Sequence, residues 1–162
     1  MKIGVISDTH IPITAATLPC KACDYFKNCD LIVHAGDIVD ESVVKKLETL
    51  AETKAVAGNM DSCVLKNKLP EKILFEVEGK KIGVIHGTGP KVKIKERVRK
   101  AFKCKPDVII FGHSHVPLNE EDGGILFFNP GSATDSLCAC RCTFGIIEIK
   151  NGEIRAKIID CD

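Results

Sequence analysis

The sequence predicts an α/β layered fold, and three observations carry that expectation. Short apolar runs alternate with stretches of helical period through much of the chain. The last part reads instead as antiparallel strands, which adds a second, partly antiparallel sheet. The 162 residues suit one domain, and no repeat, low-complexity segment or linker divides residues 1–162.

Each element follows in order. Residues 2–6, KIGVI, are an apolar run of strand length. Pro19 opens a short helix over 19–28, since proline is tolerated at a helix start. Residues 30–35, DLIVHA, give a second buried strand. Apolar positions 43, 44, 47 and 50 set a helical period over 40–52, with Asp40 as N-cap. Residues 54–58, KAVAG, form a third strand. Residues 72–87 read as two strands turned at Glu78-Gly79, and 91–103 as an amphipathic helix. Strands follow at 107–112 and 124–129. Residues 143–160 form a hairpin turned at Asn151-Gly152, a strong short-range hairpin signal.

Composition excludes several function classes. A net charge of +1 offers no strong field for nucleic acid, and KVKIKERVRK (91–100) reads as a solvated helix face. No basic groove with interleaved aromatics is visible, and the one tyrosine, Tyr25, is far from the polar motifs. No nucleic-acid partner is therefore expected. No apolar run approaches the roughly 20 residues of a membrane helix. MKIGVISDTH carries Asp8 and His10 where a signal peptide needs apolar residues. A cytoplasmic protein without membrane association is expected. The nine cysteines are odd in number and lack a secretory context, so reduced, packed thiols are expected. CKAC (20–23) is half of a four-thiolate zinc pattern without its second half.

The polar residues gather after the strands. Asp8 and His10 follow the first, Asp37 the second, Asn59 the third and His86 the fifth. His113 and His115 follow VIIF, and NPGS (129–132) follows ILFF. Ligands in open α/β sheets bind beyond the carboxyl ends of strands, so these scattered residues should converge. The i, i+2 spacing of DTH and HSH suggests that both side chains of each pair point to one side. Glycines at 36, 58, 87 and 112 keep the ground around them clear. Two Asp, one Asn and four His exceed what one tetrahedral ion takes, and fill two ions if one carboxylate is shared. This hard and borderline set suits Mn²⁺, Fe²⁺, Zn²⁺ or Co²⁺ rather than Ca²⁺ or an iron–sulfur cluster. His34 lies inside a strand facing away and reads as structural. Asp40 reads as a cap and Asp61 as a turn residue.

At DTH (8–10), GDIVD (36–40), GNMD (58–61), HG (86–87) and GHSH (112–115), the chain resembles the calcineurin-like metallophosphoesterases. The motifs span nearly the whole chain in the family's order. The size, VHAGD and NPGS look most like the small YfcE-type phosphodiesterase branch. The resemblance implies a four-layer αββα sandwich, two mixed β-sheets flanked by helices, the metallo-dependent phosphatase fold. It implies one ion on Asp8, His10, Asp37 and His115, and a second on Asp37, Asn59, His86 and His113, with Asp37 bridging. Mn²⁺ is the first choice, with Ni²⁺, Zn²⁺, Fe²⁺, Co²⁺ or Mg²⁺ as alternatives. The implied activity is hydrolysis of a small-molecule phosphodiester, or a phosphomonoester, by a hydroxide activated at the dinuclear centre. Asp37, Asn59 and His10 are then the catalytic residues, with Asn59 also touching substrate. Arg141, close after NPGS, is a second candidate for a substrate phosphate, against its plain reading as a loop arginine.

The chain departs from the family at Met60, where a histidine usually serves with the Asp of GD-x-x-D as general acid. A thioether cannot donate a proton, so Asp40 and Asp61 receive no catalytic role. The family also contains a retromer subunit that works as a scaffold. That is the alternative reading, and the complete ligand set weighs against it. A homo-oligomer formed through a strand edge or the C-terminal hairpin is compatible with the sequence.

Overall fold

The structure, a computed structural model, describes residues 1–135, 139 and 141–162. Two five-stranded mixed sheets form its centre. In the first, β1 (Lys2–Ile6), β2 (Leu31–His34) and β3 (Glu52–Ala55) run parallel. On the other side of β1, β9 (Thr143–Lys150) and β10 (Glu153–Asp160) add an antiparallel hairpin. In the second sheet, β5 (Lys80–Ile85), β6 (Val108–Phe111) and β8 (Ile125–Asn129) run parallel. Antiparallel β4 (Lys72–Val77) and β7 (Leu118–Asp122) form its edges.

Period-2 alternation explains the layering. Ile3 and Val5, Leu31 and Val33, and Ile147 and Ile149 face the second sheet. There they meet Ile82, Val84, Val108, Ile110 and Phe128 in one core. The opposite parity, Ile6, Ile32, Phe144 and Ile146, packs under α1 (Cys20–Phe26) and α2 (Glu41–Glu48) through Ala22, Phe26, Val43 and Leu47. On the far side, Ile109, Phe111, Ile125 and Phe127 meet Ile94 and Val98 of α4 (Ile94–Lys100). Strands with both faces covered must be apolar throughout, hence LIVH and VIIF. The result is the four-layer αββα sandwich.

Several boundaries differ from the sequence expectation. The third strand starts at Glu52, because Leu31 pairs with Glu52, and the chain leaves the ladder after Ala55. Ala57 N–H then bonds Pro70 O at 2.9 Å. The helix expected over 91–103 begins only at Ile94, because Lys93 takes a left-handed conformation (φ 58°). Asp40 does cap α2, accepting from Ser42 N–H at 2.9 Å. Two elements were not expected. Helix α3 (Cys63–Lys68) buries one leucine, Leu65, and is capped by Ser62. Strand β7 is LNEED, a polar edge strand whose exposed face carries no apolar signal. No helix among the described residues is long and apolar enough to cross a membrane.

The described cysteines divide: Cys20, Cys63 and Cys104 are exposed, and the other four are partly or fully buried, so the expectation of packed thiols holds for only part of the set. Cys29 is buried, and burial pushes it up to about 11 and Cys161 up to about 12. Cys138 and Cys140 lie outside the described residues.

His34 is fully buried at the end of β2. Its Nδ1 accepts from Gly36 N–H at 3.2 Å, so the proton sits on Nε2, 3.0 Å from Thr9 Oγ1. Burial pushes its pKa down to about 3 from 6.5. The unfolded chain therefore binds one proton more than the folded one in that window. The His34 contribution to stability is therefore full above pH 6.5 and is lost as pH falls toward 3, at up to about 1 kcal/mol per pH unit. His34→Gln should remove most of that slope in urea melts between pH 6.5 and 5. An unchanged slope would exclude His34 as its source.

Candidate metal centre

The parallel strands of both sheets end on the same edge of the sandwich, and the polar residues gather there. Asp8 and His10 leave β1, Asp37 leaves β2, and Asn59 lies beyond β3. His86 leaves β5, and His113 and His115 leave β6. Asp8 Oδ1 lies 3.3 Å from His115 Nε2 and 3.9 Å from His86 Nε2. Asp37 Oδ2 lies 3.2 Å from His86 Nε2 and 3.8 Å from His10 Nε2. His10 and His115 bring their Nε2 atoms to 3.3 Å. Asn59 Oδ1 lies 2.9 Å from His113 Nδ1 and 3.1 Å from His86 Nε2. All seven expected ligands therefore meet in one place. Two overlapping trios, Asp8–His10–His115 and Asp8–Asp37–His86, bring their donor atoms close enough to grip an ion.

The i, i+2 spacing works through a different geometry from the one expected. These residues are not extended. Asp8, His10, Asp37, His113 and His115 all take left-handed conformations, with φ between 42° and 66°. Aspartate and histidine visit this region more readily than most residues, at a cost of about 1–2 kcal/mol each. The turn between His113 and His115 sends the first toward Asn59 and the second toward Asp8. Strain of this kind persists where the surrounding structure over-determines it.

The two carboxylates are almost wholly buried, Asp8 at 0% and Asp37 at 2% exposure. Among the described residues no lysine or arginine pairs with either. Asp37 Oδ1 accepts from Met60 N–H at 2.7 Å, and Asp8 accepts from Ser7 Oγ at 2.6 Å and His113 N–H at 3.1 Å. Burial works against the Asp37 carboxylate, but His86 and the Met60 N–H hold it below the usual range. Burial likewise opposes charge on His86, and Asp37 and Asp8 outweigh it, raising its pKa. Asp8 raises His115 against burial.

Behind the cluster, acceptors fix two of the imidazoles. His86 Nδ1 donates to Ala35 O at 2.7 Å, and His113 Nε2 to Gly89 O at 2.7 Å. His115 Nδ1 lies 3.1 Å from Asp135 Oδ2 outside hydrogen-bond geometry, so there the rear partner acts by its charge. A proton held at the rear nitrogen leaves the inner nitrogen's lone pair for a metal. The inner lining is then carboxylates, an amide oxygen and imidazole lone pairs, nearly all acceptors. Such a set fits divalent cations and little else.

Other residues find structural work. Asp61 is buried and stitches two ligand loops, accepting from Ile38, Val39 and Gly58 N–H at 2.6–2.7 Å. Asn129 bonds Gly112 O at 2.9 Å, and Ser132 Oγ bonds Asp8 O at 2.7 Å, so NPGS ties loops together rather than ligating. The Arg141 guanidinium pairs with Asp160 of β10 at 3.1 Å on the exposed surface. Asp135 was missed by sequence reasoning. Its only signal was three-residue proximity to NPGS. Beside the second ligand set, a cavity of about 290 Å³ opens among Gly58, Asn59, Lys66, His86 and Thr88.

The calcineurin-like phosphoesterase superfamily domain matches residues 1–152 of the chain. A probable metallophosphoesterase of Methanocaldococcus jannaschii is 41% identical over 143 residues, covering 85% of this chain and 71% of that protein. A phosphodiesterase of the same organism is 30% identical over 174 residues, covering 99% of this chain and 100% of that protein. The structure of Vps29 from Entamoeba histolytica complexed with Zn²⁺ superposes with a TM-score of 0.76. It is 25% identical, and the match covers 100% of both chains.

Two substitutions test the construction of the site. A Cβ on Gly112 would lie 2.6 Å from Asp8 Oδ2 and 2.9 Å from Ser7 Oγ. Gly112→Ala should push the Asp8 carboxylate aside and weaken Mn²⁺ binding at least tenfold by calorimetry, with the fold retained by circular dichroism. Asp135→Ala should weaken it by about 10–100-fold. Wild-type affinity in Asp135→Ala would show that His115 needs no rear charge.

Proposed function

The chain belongs to the calcineurin-like phosphoesterase superfamily, and from that premise we propose a metal-dependent phosphodiesterase with a dinuclear centre. One observation carries the reading. Two buried carboxylates face imidazoles tethered from behind, with no lysine or arginine paired to them among the described residues. Divalent ions would resolve that arrangement. Asp8, His10, Asp37 and His115 would hold one, and Asp37, Asn59, His86 and His113 the other. Asp37 Oδ2, between His86 and His10, suits a shared carboxylate. When bound, the ions supply charge neutralisation and an acidified water. The mixed donors suit Mn²⁺ first, with Zn²⁺, Fe²⁺, Co²⁺, Ni²⁺ or Mg²⁺ as alternatives.

The chain's own residues set the rest. Asn59 is exposed at the cavity mouth, where its amide can meet a phosphoryl oxygen. Lys66 holds that loop, donating to Asn59 O at 2.7 Å. His10 edges the first ligand set and can steady charge developing on the same oxygens. Met60 contributes its backbone N–H to Asp37, while its side chain is exposed and carries no proton to give. Asp40 caps a helix and Asp61 is committed to three N–H groups, so neither serves as the acid. The leaving group must depart unassisted, which favours esters of acidic alcohols and diesters over monoesters.

The alternative, an inactive scaffold on the same fold, has no need of imidazoles tethered to present lone pairs. The experiment compares bis-p-nitrophenyl phosphate with p-nitrophenyl phosphate after metal-free protein is loaded with each ion. Metal-dependent diester cleavage should exceed monoester cleavage, and His113→Ala should lower it at least about a hundredfold. A folded protein that binds ions yet cleaves neither ester would move the assignment to the scaffold. Met60→His should raise turnover of alkyl-leaving-group diesters more than of aryl ones. Equal gains would show that protonation does not limit the reaction.

A further inference from the structure

A second cavity, of about 340 Å³, lies on the outer side of the second sheet, under the loop that carries His113 and His115. Its apolar walls are Ile94, Phe111, Val116 and Leu118, and Lys91, Lys93, Lys95 and Glu96 line it as well. The volume falls at the low end of small-ligand sites, roughly 300–1,000 Å³. It has room for one ring system. Its lining includes Ser114, between the two histidines, and Val116 directly follows His115. Val116 is 56% exposed, an apolar side chain left open to water beside a polar centre.

The rim is built. Arg97 of α4 donates through Nε to Thr88 O at 2.9 Å, through Nη1 to Val92 O at 2.8 Å, and through Nη2 to Pro90 O. One guanidinium thus fixes the 88–92 loop. The same loop supplies Gly89 O to His113, which couples the rim to the metal centre. Lys95 is spoken for by Glu120 at 2.6 Å, whereas Lys91 and Lys93 make no ion pair among the described residues. Two lysines without an ion pair among the described residues, against one carboxylate, Glu96, leave this apolar slot net positive, which complements an apolar ring that carries negative charge. Because the loop is already ordered, little entropy is lost when they engage.

We propose that this cavity is a specificity subsite for the non-leaving arm of the phosphodiester, and that the preferred arm is a nucleoside bearing a further phosphate. The ring would lie against Ile94, Phe111, Val116 and Leu118, and the additional phosphate would meet Lys91 and Lys93. Besides the lysines, Ser114 and Glu96 are the polar side chains of the slot, too few to read base edges, so the ring is held by shape and apolar contact. The inference rests on the phosphodiesterase reading above.

Three esters with one leaving group test it: methyl p-nitrophenyl phosphate, thymidine 5′-(p-nitrophenyl phosphate), and the latter carrying a 3′-phosphate. In each, water adds at phosphorus and the P–O bond to p-nitrophenolate breaks. The phosphate arm and a proton are released with it. The thymidine ester should exceed the methyl ester in kcat/KM at least about tenfold, and the 3′-phosphate should add several-fold more. Val116→Asp should lower the thymidine-to-methyl ratio at least fivefold. Lys91→Ala with Lys93→Ala should abolish the extra gain from the 3′-phosphate. A ratio near one in the wild type, or a ratio unmoved by Val116→Asp, overturns the subsite. If no ester is hydrolysed, the phosphodiesterase reading fails first. Calorimetric binding of thymidine 3′,5′-bisphosphate then decides: binding weakened by both variants supports the subsite, and no binding overturns it.

Discussion

Asp8 and Asp37 sit at 0% and 2% exposure without a lysine or arginine paired to them among the described residues, and this electrostatic demand organises the molecule. A buried carboxylate is costly unless hydrogen-bonded and paired. Here the pairing comes from imidazoles, whose charge a metal can replace. Every neighbouring feature serves that exchange. Ser7, Met60 and His113 supply fixed donors to the carboxylates. Ala35, Gly89 and Asp135 stand behind the imidazoles.

Holding this arrangement requires a stiff frame. Five ligands occupy left-handed backbone, and their combined strain is on the order of 5–10 kcal/mol. That is comparable to the net stability of an ordinary domain. It is tolerable because the ligand loops leave three apolar layers at one edge, and because the loops are tied to each other. Asp61 joins the Asp37 and Asn59 loops. Asn129 and Ser132 join the loops of Gly112 and Asp8. Gly58 shows how tight the junction is, since a Cβ there would stand 2.2 Å from Asp37 Oδ1. Function and stability compete at this edge, and the buried polar ties keep the competition from unfolding it.

Much of this was legible in the sequence because strand and ligand share a boundary. An apolar run that ends in glycine and then Asp, Asn or His marks both where a strand stops and where chemistry begins. LIVH, VIIF and the Asn-Gly hairpin followed from local physics, as did Asp40 as a cap and His34 as a structural group. What escaped has no local signature. LNEED becomes a strand only because β8 offers it a ladder. Helix α3 is six residues with a single buried leucine. Asp135 acquires its role from His115, twenty positions earlier, which only the folded chain brings near. Arg141 is the matching case: proximity in sequence to NPGS could not reveal Asp160 as its partner. The DTH and HSH side chains converge through left-handed turns rather than strand pleats, which their i, i+2 spacing alone does not show.

The loop over 88–92 joins the ligand cluster to the rim of the apolar slot. It gives His113 a carbonyl at Gly89 and carries Lys91 at the rim of the apolar slot. Arg97 holds it through three carbonyls, a pattern suited to the planar, five-donor guanidinium and beyond the reach of a lysine. Any displacement of that clamp would move a ligand's orienting acceptor and a rim charge together. The two properties are therefore mechanically coupled through α4, although Arg97 touches neither the ligand cluster nor the slot's apolar walls. On the proposed reading, the ligand edge has little freedom to vary, and the loop clamped over it is where a change would alter which ester is accepted while leaving the buried carboxylates in place.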